Sequence, residues 1–340
     1  MNPRVLLKYA LLGLGLVLLA LVAWIYWAES HPEAERDLRV RVKAHLEAMF
    51  PEAMTPPPGV FGWRTHRSPA DARLAVVLVH GLDEPGNIWE DVIAAFDGQP
   101  VELIELRYPN DQAIDASADF LAEKWADLAS KPEVVFIAHS MGGLVVRDFV
   151  TRHYAPDGSR SLSVGPSVRA AWLVATPNHG SEWARLRVWL EMRDHFTSAA
   201  GQEYALFSAL RDGTGAAKVD LRPGSRFLRE LNERAWPDAV DLKLIAGAYL
   251  DREQVNQGLD ELVKRAPDED LAASFSKWGA EIREATGDGV VTVESVALEG
   301  FPPPVVLSAS HRGLIRTSPI ETGTPPALPT LLDWLEAELD

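Results

Sequence analysis

Residues 134–143 read VVFIAHSMGG, an apolar run that ends in a His-Ser-Met-Gly-Gly turn. Beyond the turn, apolar side chains recur at helical spacing at Leu144, Val145, Val146 and Phe149. The stretch therefore predicts a strand, a sharp turn and a helix in direct succession. Such a unit is typical of a sheet whose strands are joined by helices.

Ser140 supplies the hydroxyl in this turn. A serine in so sharp a turn has a strained backbone that lifts its Oγ out at the carboxyl end of the sheet, and the following helix favours negative charge at its N-terminus. Ala138 and Gly142, two positions to either side, are small enough for the turn to close. An acyl-transfer nucleophile needs this placement, so Ser140 is the predicted nucleophile.

The rest of the body alternates apolar strands with helices. The predicted strands are Val60–Trp63, Leu74–His80, Val101–Leu106, Val134–Ala138, Ala170–Ala175, Leu242–Ala248 and Val305–Ser308. The predicted helices between them are Ile88–Phe96, Asp115–Ala129 and Leu144–His153. This alternation indicates an α/β fold with a mostly parallel central sheet that is covered by helices on both faces.

Two segments, 182–235 and 251–286, interrupt the alternation. The first is rich in Trp and Leu, and the second is charged and helix-prone. Insertions between core strands on the site-bearing edge commonly become lids or caps over a pocket. We therefore expect a catalytic domain over 59–340 with two helical cap insertions.

The N-terminus contains an apolar run without charge over residues 10–27. At about 1.5 Å rise per residue, a helix of this length crosses most of a roughly 30 Å hydrocarbon core, so residues 1–28 are predicted to form a transmembrane anchor. Arg4 and Lys8 precede the run, and three glutamates follow it. This charge asymmetry predicts a cytoplasmic N-terminus and an extracytoplasmic catalytic body, in the periplasm or its equivalent. The alternative is a cleaved signal, which would make the protein secreted.

Residues 29–58 lie between the anchor and the predicted body. Apolar residues among charges over 32–50 predict a short amphipathic helix, and the proline-rich stretch that follows ends it. We interpret 29–58 as a stalk with a Pro-rich linker.

Composition narrows the classes of partner. The 340 residues are 47% hydrophobic, which is globular, and the formal net charge of −16 argues against nucleic acid as a partner. The chain has no cysteine, so neither a disulfide nor a thiolate nucleophile or ligand is available. The sequence predicts no cofactor and no metal, and it names no protein partner.

A second loop follows the predicted strand 74–80, at His80-Gly81-Leu82. Acyl transfer passes through an oxyanion that preplaced N–H groups must stabilise, and in this layout those are the backbone amides of Leu82 and Met141. The loop lies about 60 residues before the serine, which suits two intervening βα units.

The general base is predicted to be His311, which follows the last predicted strand and can reach a central serine from the carboxyl edge of the sheet. Of the other histidines, we expect His139 to point away from the serine, and His80 to be a structural polar group behind the oxyanion loop. The histidines expected to be solvated are His31, His45, His66, His153 and His195.

The acid that orients the base has two candidates. Asp251 follows the strand at 242–248 almost directly, whereas Asp288 lies in a Gly-Asp-Gly turn 23 residues before His311. An Asp-Gly turn can hold a carboxylate still, so we prefer Asp288. Asp251 remains the alternative acid, and both satisfy the chain order Ser, Asp, His.

Taken together, these residues resemble the α/β-hydrolase superfamily, and within it the lipase-like members that include triacylglycerol lipases and membrane-bound inositol deacylases. The similarity covers about 74–314. The motifs that carry it are His80-Gly81-Leu82, Ala138-His139-Ser140-Met141-Gly142-Gly143, Ala175-Thr176-Pro177-Asn178-His179-Gly180-Ser181, Asp220-Leu221-Arg222-Pro223-Gly224-Ser225, Gly287-Asp288-Gly289-Val290-Val291 and His311. The departures are Ala138, where the motif has glycine, and the long insertion before Asp288.

The resemblance implies roles for the matched positions. It makes Ser140 the nucleophile, Asp288 the acid, His311 the base, and Leu82 and Met141 the oxyanion donors. It also implies that a loop with Pro177, Gly180 and Ser181 borders an acyl pocket.

The sequence therefore predicts a membrane-tethered serine hydrolase that cleaves carboxylic esters with a hydrophobic acyl group, with an ester or lipid-like small molecule as its substrate. The same triad serves an acyltransferase, a thioesterase or an amidase, which stay open as alternatives. A non-catalytic binding module is the remaining reading from a different class.

Overall fold

The computed structural model describes residues 3–82, 84, 87–131, 133–182, 210–249, 287–318 and 321–340. In the first helix it describes the side chains of residues 9, 12, 15, 19, 20 and 22–30. Most of both predicted cap segments, at 183–209 and 250–286, therefore lies outside the described residues, as does the alternative acid Asp251.

Within the described residues, seven strands form one sheet. They are β1 (Gly62–Arg67), β2 (Leu74–Val79), β3 (Val101–Arg107), β4 (Glu133–His139), β5 (Ser167–Val174), β6 (Asp241–Gly247) and β7 (Val305–Leu307). Their order is β1-β3-β2-β4-β5-β6-β7. Only the edge strand β1 runs antiparallel to its neighbour, and the other pairs are parallel. The mostly parallel sheet is confirmed, and each predicted strand is present within a few residues of its expected ends.

Helices cover both faces of this sheet. The described α-helices are α1 (Pro3–Ser30), α2 (Pro32–Met49), α3 (Pro51–Met54), α4 (Glu90–Ala95), α5 (Ile114–Lys124), α6 (Met141–Asp148), α7 (Ala216–Asp220), α8 (Arg226–Asn232), α9 (Val293–Val296) and α10 (Ala327–Leu339). A 3-10 turn (Trp125–Leu128) extends α5, and a π-helical turn (Phe149–Tyr154) extends α6. The predicted helices 115–129 and 144–153 are these two extended units.

Two apolar clusters divide the side chains of each buried strand. Val77 and Val79 of β2 pack with α5 and α6 on one face, whereas Val76 and Leu78 pack with α4 and α10 on the other. Successive side chains of a strand point to opposite faces, so a strand that is covered on both sides must be apolar throughout. This is why β2 reads Leu-Ala-Val-Val-Leu-Val without a polar residue.

The predicted stalk helix α2 lies against the body. Arg36 bridges Asp220 (Nε–Oδ1, 2.5 Å) and Asp115 (Nη2–Oδ2, 2.7 Å), and Glu35 pairs with Arg222 (2.9 Å). The side chains of Glu35 and Asp220 are each 1% exposed. Burial raises the pKa of Asp220 to about 6, although Arg36 opposes the shift. Residues 32–49 are therefore fastened to the body through buried charge pairs.

No described helix is long and apolar enough to cross a membrane. For α1, this finding covers only the part whose side chains are described. Several residues of the predicted span 10–27 have side chains outside that part.

One expectation about the histidines is wrong. His66 on β1 is not solvated, because its Nε2 lies 2.9 Å from the buried carboxylate of Glu105 and its side chain is only 11% exposed. His66 lies at the register shift between Thr65 and Arg67, and the local sequence does not reveal its contact with Glu105 on β3. His31 and His45 are exposed as expected, and His195 lies outside the described residues.

Candidate active site

Ser140 lies between β4 and α6 with a positive φ that non-glycine residues rarely adopt, at φ 54° and ψ −130°. Its N–H donates to the Val174 carbonyl at the end of the neighbouring strand (2.9 Å). A side chain at Gly142 would lie 2.2 Å from the Val79 carbonyl oxygen, so only glycine permits α6 to begin this close to β2. Ala138 is fully buried in β4, where its extra methyl group is accommodated. The turn thus holds a half-buried hydroxyl at the carboxyl edge of the sheet.

His311, Ser140 and Asp288 are brought together at this edge. His311 Nε2 lies 2.8 Å from Ser140 Oγ, and its Nδ1 lies 2.7 Å from Asp288 Oδ2. The His311 N–H also donates to the Asp288 carbonyl (2.9 Å), so backbone and side chain of the two residues are joined. The three side chains form a continuous hydrogen-bonded chain from carboxylate to hydroxyl.

The loop that carries Asp288 holds its carboxylate in place. Oδ1 accepts from the N–H groups of Val290 (2.9 Å) and Val291 (2.7 Å), which leaves Oδ2 for His311. Gly287 has φ 48°, and a side chain there would lie 2.0 Å from the Val291 carbonyl oxygen. Asp288 itself is 2% exposed. Two backbone N–H donors and burial therefore fix Oδ1 of Asp288 and orient its Oδ2 towards His311.

The loop after β2 lies directly against Ser140. A side chain at Gly81 would lie 2.8 Å from Ser140 Cβ, so this approach requires glycine. In the described part of the chain, the N–H groups of Leu82 and Met141 donate no hydrogen bond to another backbone carbonyl. Behind the loop, Tyr108 Oη donates to the His80 carbonyl (2.5 Å) and its ring stacks on His80. His80 is the buried structural group that we predicted.

A second carboxylate and imidazole lie behind these residues, and the sequence did not predict them. His139 Nδ1 lies 2.6 Å from Glu84 Oε1, and its Nε2 lies 2.9 Å from the His311 carbonyl oxygen. Burial alone would raise the pKa of Glu84, but His139 and the Gly81 N–H lower it to about 2. Burial likewise opposes the charge on His139, yet the Glu84 carboxylate raises the pKa of that ring.

The loop with Pro177, Gly180 and Ser181 follows β5 and contacts the acid loop. Ser181 Oγ donates to the Val290 carbonyl (2.5 Å), and Gly180 has φ 93° at a point where a side chain would also meet the Pro223 backbone. Asn178 is fully buried and donates to the Val296 carbonyl (2.6 Å). The loop therefore forms one wall of the region that also carries Asp288.

A cavity of about 690 Å³ lies between this loop and the residues after Asp288. Gly180 and Ser181 line it on one side and Val290 on the other. Its wall carries Glu182, Glu294 and Glu299 beside apolar side chains such as Val290 and Leu298. Among the residues that the structure describes, no group of three His, Asp or Glu side chains is arranged to hold a metal ion.

The order of the parallel strands, the antiparallel edge, and the strained serine between β4 and α6 decide the fold. It is an α/β-hydrolase fold. In α/β hydrolases the nucleophile follows a central strand, and the acid and base come later in the chain; Asp288 and His311 follow Ser140 in the same order.

The chain is similar to several proteins of known structure. No protein-family model and no curated relative matches the chain. Among solved structures, it is similar to the mature form of the lipase BlEst2 from Bacillus licheniformis, with 16% identity, 80% of this chain and 97% of that chain covered, and a TM-score of 0.49. It is also similar to a metagenomic carboxyl esterase, with 17% identity, coverage of 88% and 91%, and a TM-score of 0.48.

The phospholipase PlaB from Legionella pneumophila is a third similar structure, at 20% identity and a TM-score of 0.39. The superposition covers 66% of this chain and 45% of that one, so this chain matches less than half of that phospholipase.

Proposed function

We propose that this protein is a serine hydrolase that cleaves carboxylic esters through an acyl-enzyme. One observation carries the proposal: a hydrogen-bonded chain joins Asp288, His311 and Ser140 at 2.7 and 2.8 Å. A serine hydroxyl is a poor nucleophile near neutral pH unless an imidazole accepts its proton, and the imidazole needs a carboxylate to fix its tautomer. The separation and order of these three groups support that use.

In the proposed reaction, Ser140 Oγ attacks the ester carbonyl carbon while His311 Nε2 takes the hydroxyl proton. Asp288 stays ionised and stabilises the imidazolium that forms. The tetrahedral oxyanion accepts from the N–H groups of Leu82 and Met141. Collapse breaks the ester bond, and His311 gives its proton to the departing alkoxide. Water then attacks the acyl-enzyme with His311 as its base, which releases the acid and restores Ser140.

A fluorophosphonate probe on the full-length protein tests the nucleophile. We expect wild type to be labelled, Ser140→Ala to be unlabelled, and Ser161→Ala, an exposed serine, to be labelled like wild type. The same three proteins are assayed on a p-nitrophenyl ester. Equal labelling of wild type and Ser140→Ala would contradict the assignment and favour a non-catalytic module.

We propose a hydrophobic acyl group as the substrate class, supported by the Trp- and Leu-rich sequence of 182–235. On p-nitrophenyl esters of rising chain length, kcat/KM is expected to rise from acetate to a medium or long chain. A maximum at acetate with a steady fall thereafter would contradict this proposal. Adding an alcohol or a thiol acceptor to the same assay measures how much of the acyl-enzyme goes to transfer rather than to water.

We further propose that residues 1–28 tether the catalytic domain to the outer side of a membrane. The sequence supports this proposal, because residues 10–27 are uncharged and apolar. The basic residues Arg4 and Lys8 precede them, and Glu29, Glu33 and Glu35 follow. A reporter enzyme that is active only outside the cytoplasm, fused after Asp340, is expected to be active and to sediment with membranes. An inactive fusion would reverse the orientation, and an active fusion in the soluble fraction would indicate cleavage.

A further inference from the structure

Glu84 and His139 adjoin the triad through Gly81 and through the His311 carbonyl. Glu84 Oε2 accepts from the Gly81 N–H (2.6 Å), while its Oε1 lies 2.6 Å from His139 Nδ1. The His139 ring continues to the His311 carbonyl, and the two histidine rings are 4.7 Å apart between centroids. A single buried pair thus joins the loop after β2, the end of β4 and the loop that carries the base.

The partners of His139 decide its protonation. A backbone carbonyl oxygen only accepts hydrogen bonds, so the Nε2 that faces the His311 carbonyl at 2.9 Å carries a proton. The other ring nitrogen, Nδ1, lies 2.6 Å from a carboxylate oxygen in an ion-pair contact that lacks hydrogen-bond geometry, and the negative charge so close to the ring favours its protonated form. The charged and titratable groups around this ring are Glu84, Asp288 and His311. This arrangement suits an imidazolium paired with Glu84 rather than a base.

The pair restrains two parts of the site. The His311 peptide is held from one side by His139 and from the other by the Asp288 carbonyl, which accepts its N–H at 2.9 Å. Glu84 holds the Gly81 N–H, and Gly81 is the residue whose Cα lies against Ser140. The next residue, Leu82, supplies an N–H to the proposed oxyanion site. Loss of the pair would therefore release both the base and an oxyanion donor.

We propose that Glu84 and His139 are positioning residues, a carboxylate–imidazolium pair that holds His311 and the Leu82 amide in register with Ser140. This inference rests on the proposed function. Neither side chain touches the ester, so the pair acts on the transition state through the groups that it places. Binding of the ground-state ester does not depend on it.

Kinetics of three variants test this role on the full chain. Glu84→Ala removes both contacts of the carboxylate, and we expect kcat for a p-nitrophenyl ester to fall by about 100-fold with KM changed less than about threefold. Glu84→Gln can still accept from Gly81 and can donate to a neutral His139, so kcat should stay within about tenfold of wild type. His139→Phe, which lacks both ring nitrogens, should resemble Glu84→Ala.

Glu105→Ala is the matched control, because Glu105 is also a buried glutamate paired with a histidine, His66, at 2.9 Å on the antiparallel edge. We expect it to lower the Tm as Glu84→Ala does, and to leave kcat within about twofold. The inference is overturned if Glu84→Ala keeps kcat within about threefold, if it loses no more kcat than Glu105→Ala, or if Gln restores none of the loss.

Ring-nitrogen NMR on ¹⁵N-histidine-labelled wild type keeps the inference testable even where a variant fails to fold. At about pH 7, just above the ordinary histidine pKa of about 6.5, His139 should show two protonated ring nitrogens. A neutral His139 there would overturn the pair. Fluorophosphonate labelling of wild type separates the two failures: an unlabelled wild type sinks the proposed function, whereas a labelled protein with a neutral His139 sinks the pair alone.

Discussion

Two carboxylate–imidazole pairs lie side by side at the carboxyl edge of the sheet, Asp288–His311 and Glu84–His139. Their contacts are nearly equal in length, 2.7 and 2.6 Å, and both histidines are buried. They differ in what the second ring nitrogen meets. For His311 it is the Ser140 hydroxyl at 2.8 Å, and for His139 it is the carbonyl of His311 at 2.9 Å.

In the proposed mechanism, this difference makes His311 a proton acceptor and His139 a positioning residue. A hydroxyl can donate to the imidazole and later lose its proton to it, whereas a carbonyl oxygen can only accept. In the proposed mechanism, the same pairing therefore leaves His311 available as a base and holds His139 as a cation. The chemistry of a histidine beside a carboxylate is set by the third group in the chain, and here that group is positioned by the strained turn at Ser140.

The largest effect on kcat is expected from a change in the Asp288–His311 pair. Asp288→Asn keeps the shape of the side chain but favours the wrong His311 tautomer, so kcat on a p-nitrophenyl ester should fall by about 10⁴-fold. Glu84→Gln, the equivalent change in the second pair, should cost less than about tenfold. A similar loss from both changes would mean that the two pairs are not functionally distinct.

Asp251→Asn is the companion test for the acid. We expect it to retain kcat within about threefold of wild type, because Asp288 already occupies the Nδ1 side of His311. Full activity in Asp288→Asn together with a large loss in Asp251→Asn would transfer the role to Asp251.

A smaller effect is expected from a buried pair remote from the triad. Arg36→Gln leaves Asp220, 1% exposed, without its cation, and should lower the free energy of unfolding by about 3 kcal/mol. Because the contact fastens α2 rather than the base, kcat should stay within about twofold. Urea denaturation and ester assays measure the two quantities. Arg226→Gln, which breaks the exposed pair with Glu33, is the control and should cost less than about 1 kcal/mol.

The smallest expected effect is the pH dependence of stability from the second pair. The pKa of Glu84 falls from 4.5 to about 2 on folding, so its contribution is present above about pH 4.5 and is lost as the pH falls towards 2. Between pH 5 and 3, wild type should lose about 1 to 2 kcal/mol more than Glu84→Gln in urea denaturation. Parallel curves for the two proteins would contradict an ionised Glu84 in the folded state.

His139 has the opposite sign. Its pKa is raised on folding, so its contribution is complete below the ordinary histidine value and is lost as the pH rises through the folded value. The pair is therefore expected to stabilise the fold most in the pH range between the two ordinary values, about 4.5 to 6.5.

Much of the fold could be predicted from local sequence. Buried parallel strands are apolar on both faces, so β2 and β4 appear as continuous apolar runs whose ends are visible. The prediction was weaker where tertiary contacts override pattern. The 29–58 segment reads as a polar stalk, yet α2 is fastened to the body because Arg36 and Glu35 find partners far along the chain.

In the candidate site too, local sequence predicted some residues and missed others. Ser140, Asp288 and His311 could be chosen because each lies in a turn of distinctive composition and the three occur in one chain order. Glu84 has no such signal. It lies in a loop among other polar residues, and its partner His139 was expected only to point away from the serine. Nothing local marks the contact between them, which spans 55 positions.

By itself the sequence determined the α/β alternation, the strained serine turn and the residue types that could serve as base and acid. These follow from short-range physics: apolar periodicity, the steric demand of a tight turn, and the ionisation of side chains. The tertiary structure alone decided which imidazole faces a hydroxyl and which faces a carbonyl. That choice depends on how the loops after β2, β4 and β7 meet at one edge, which no local pattern fixes.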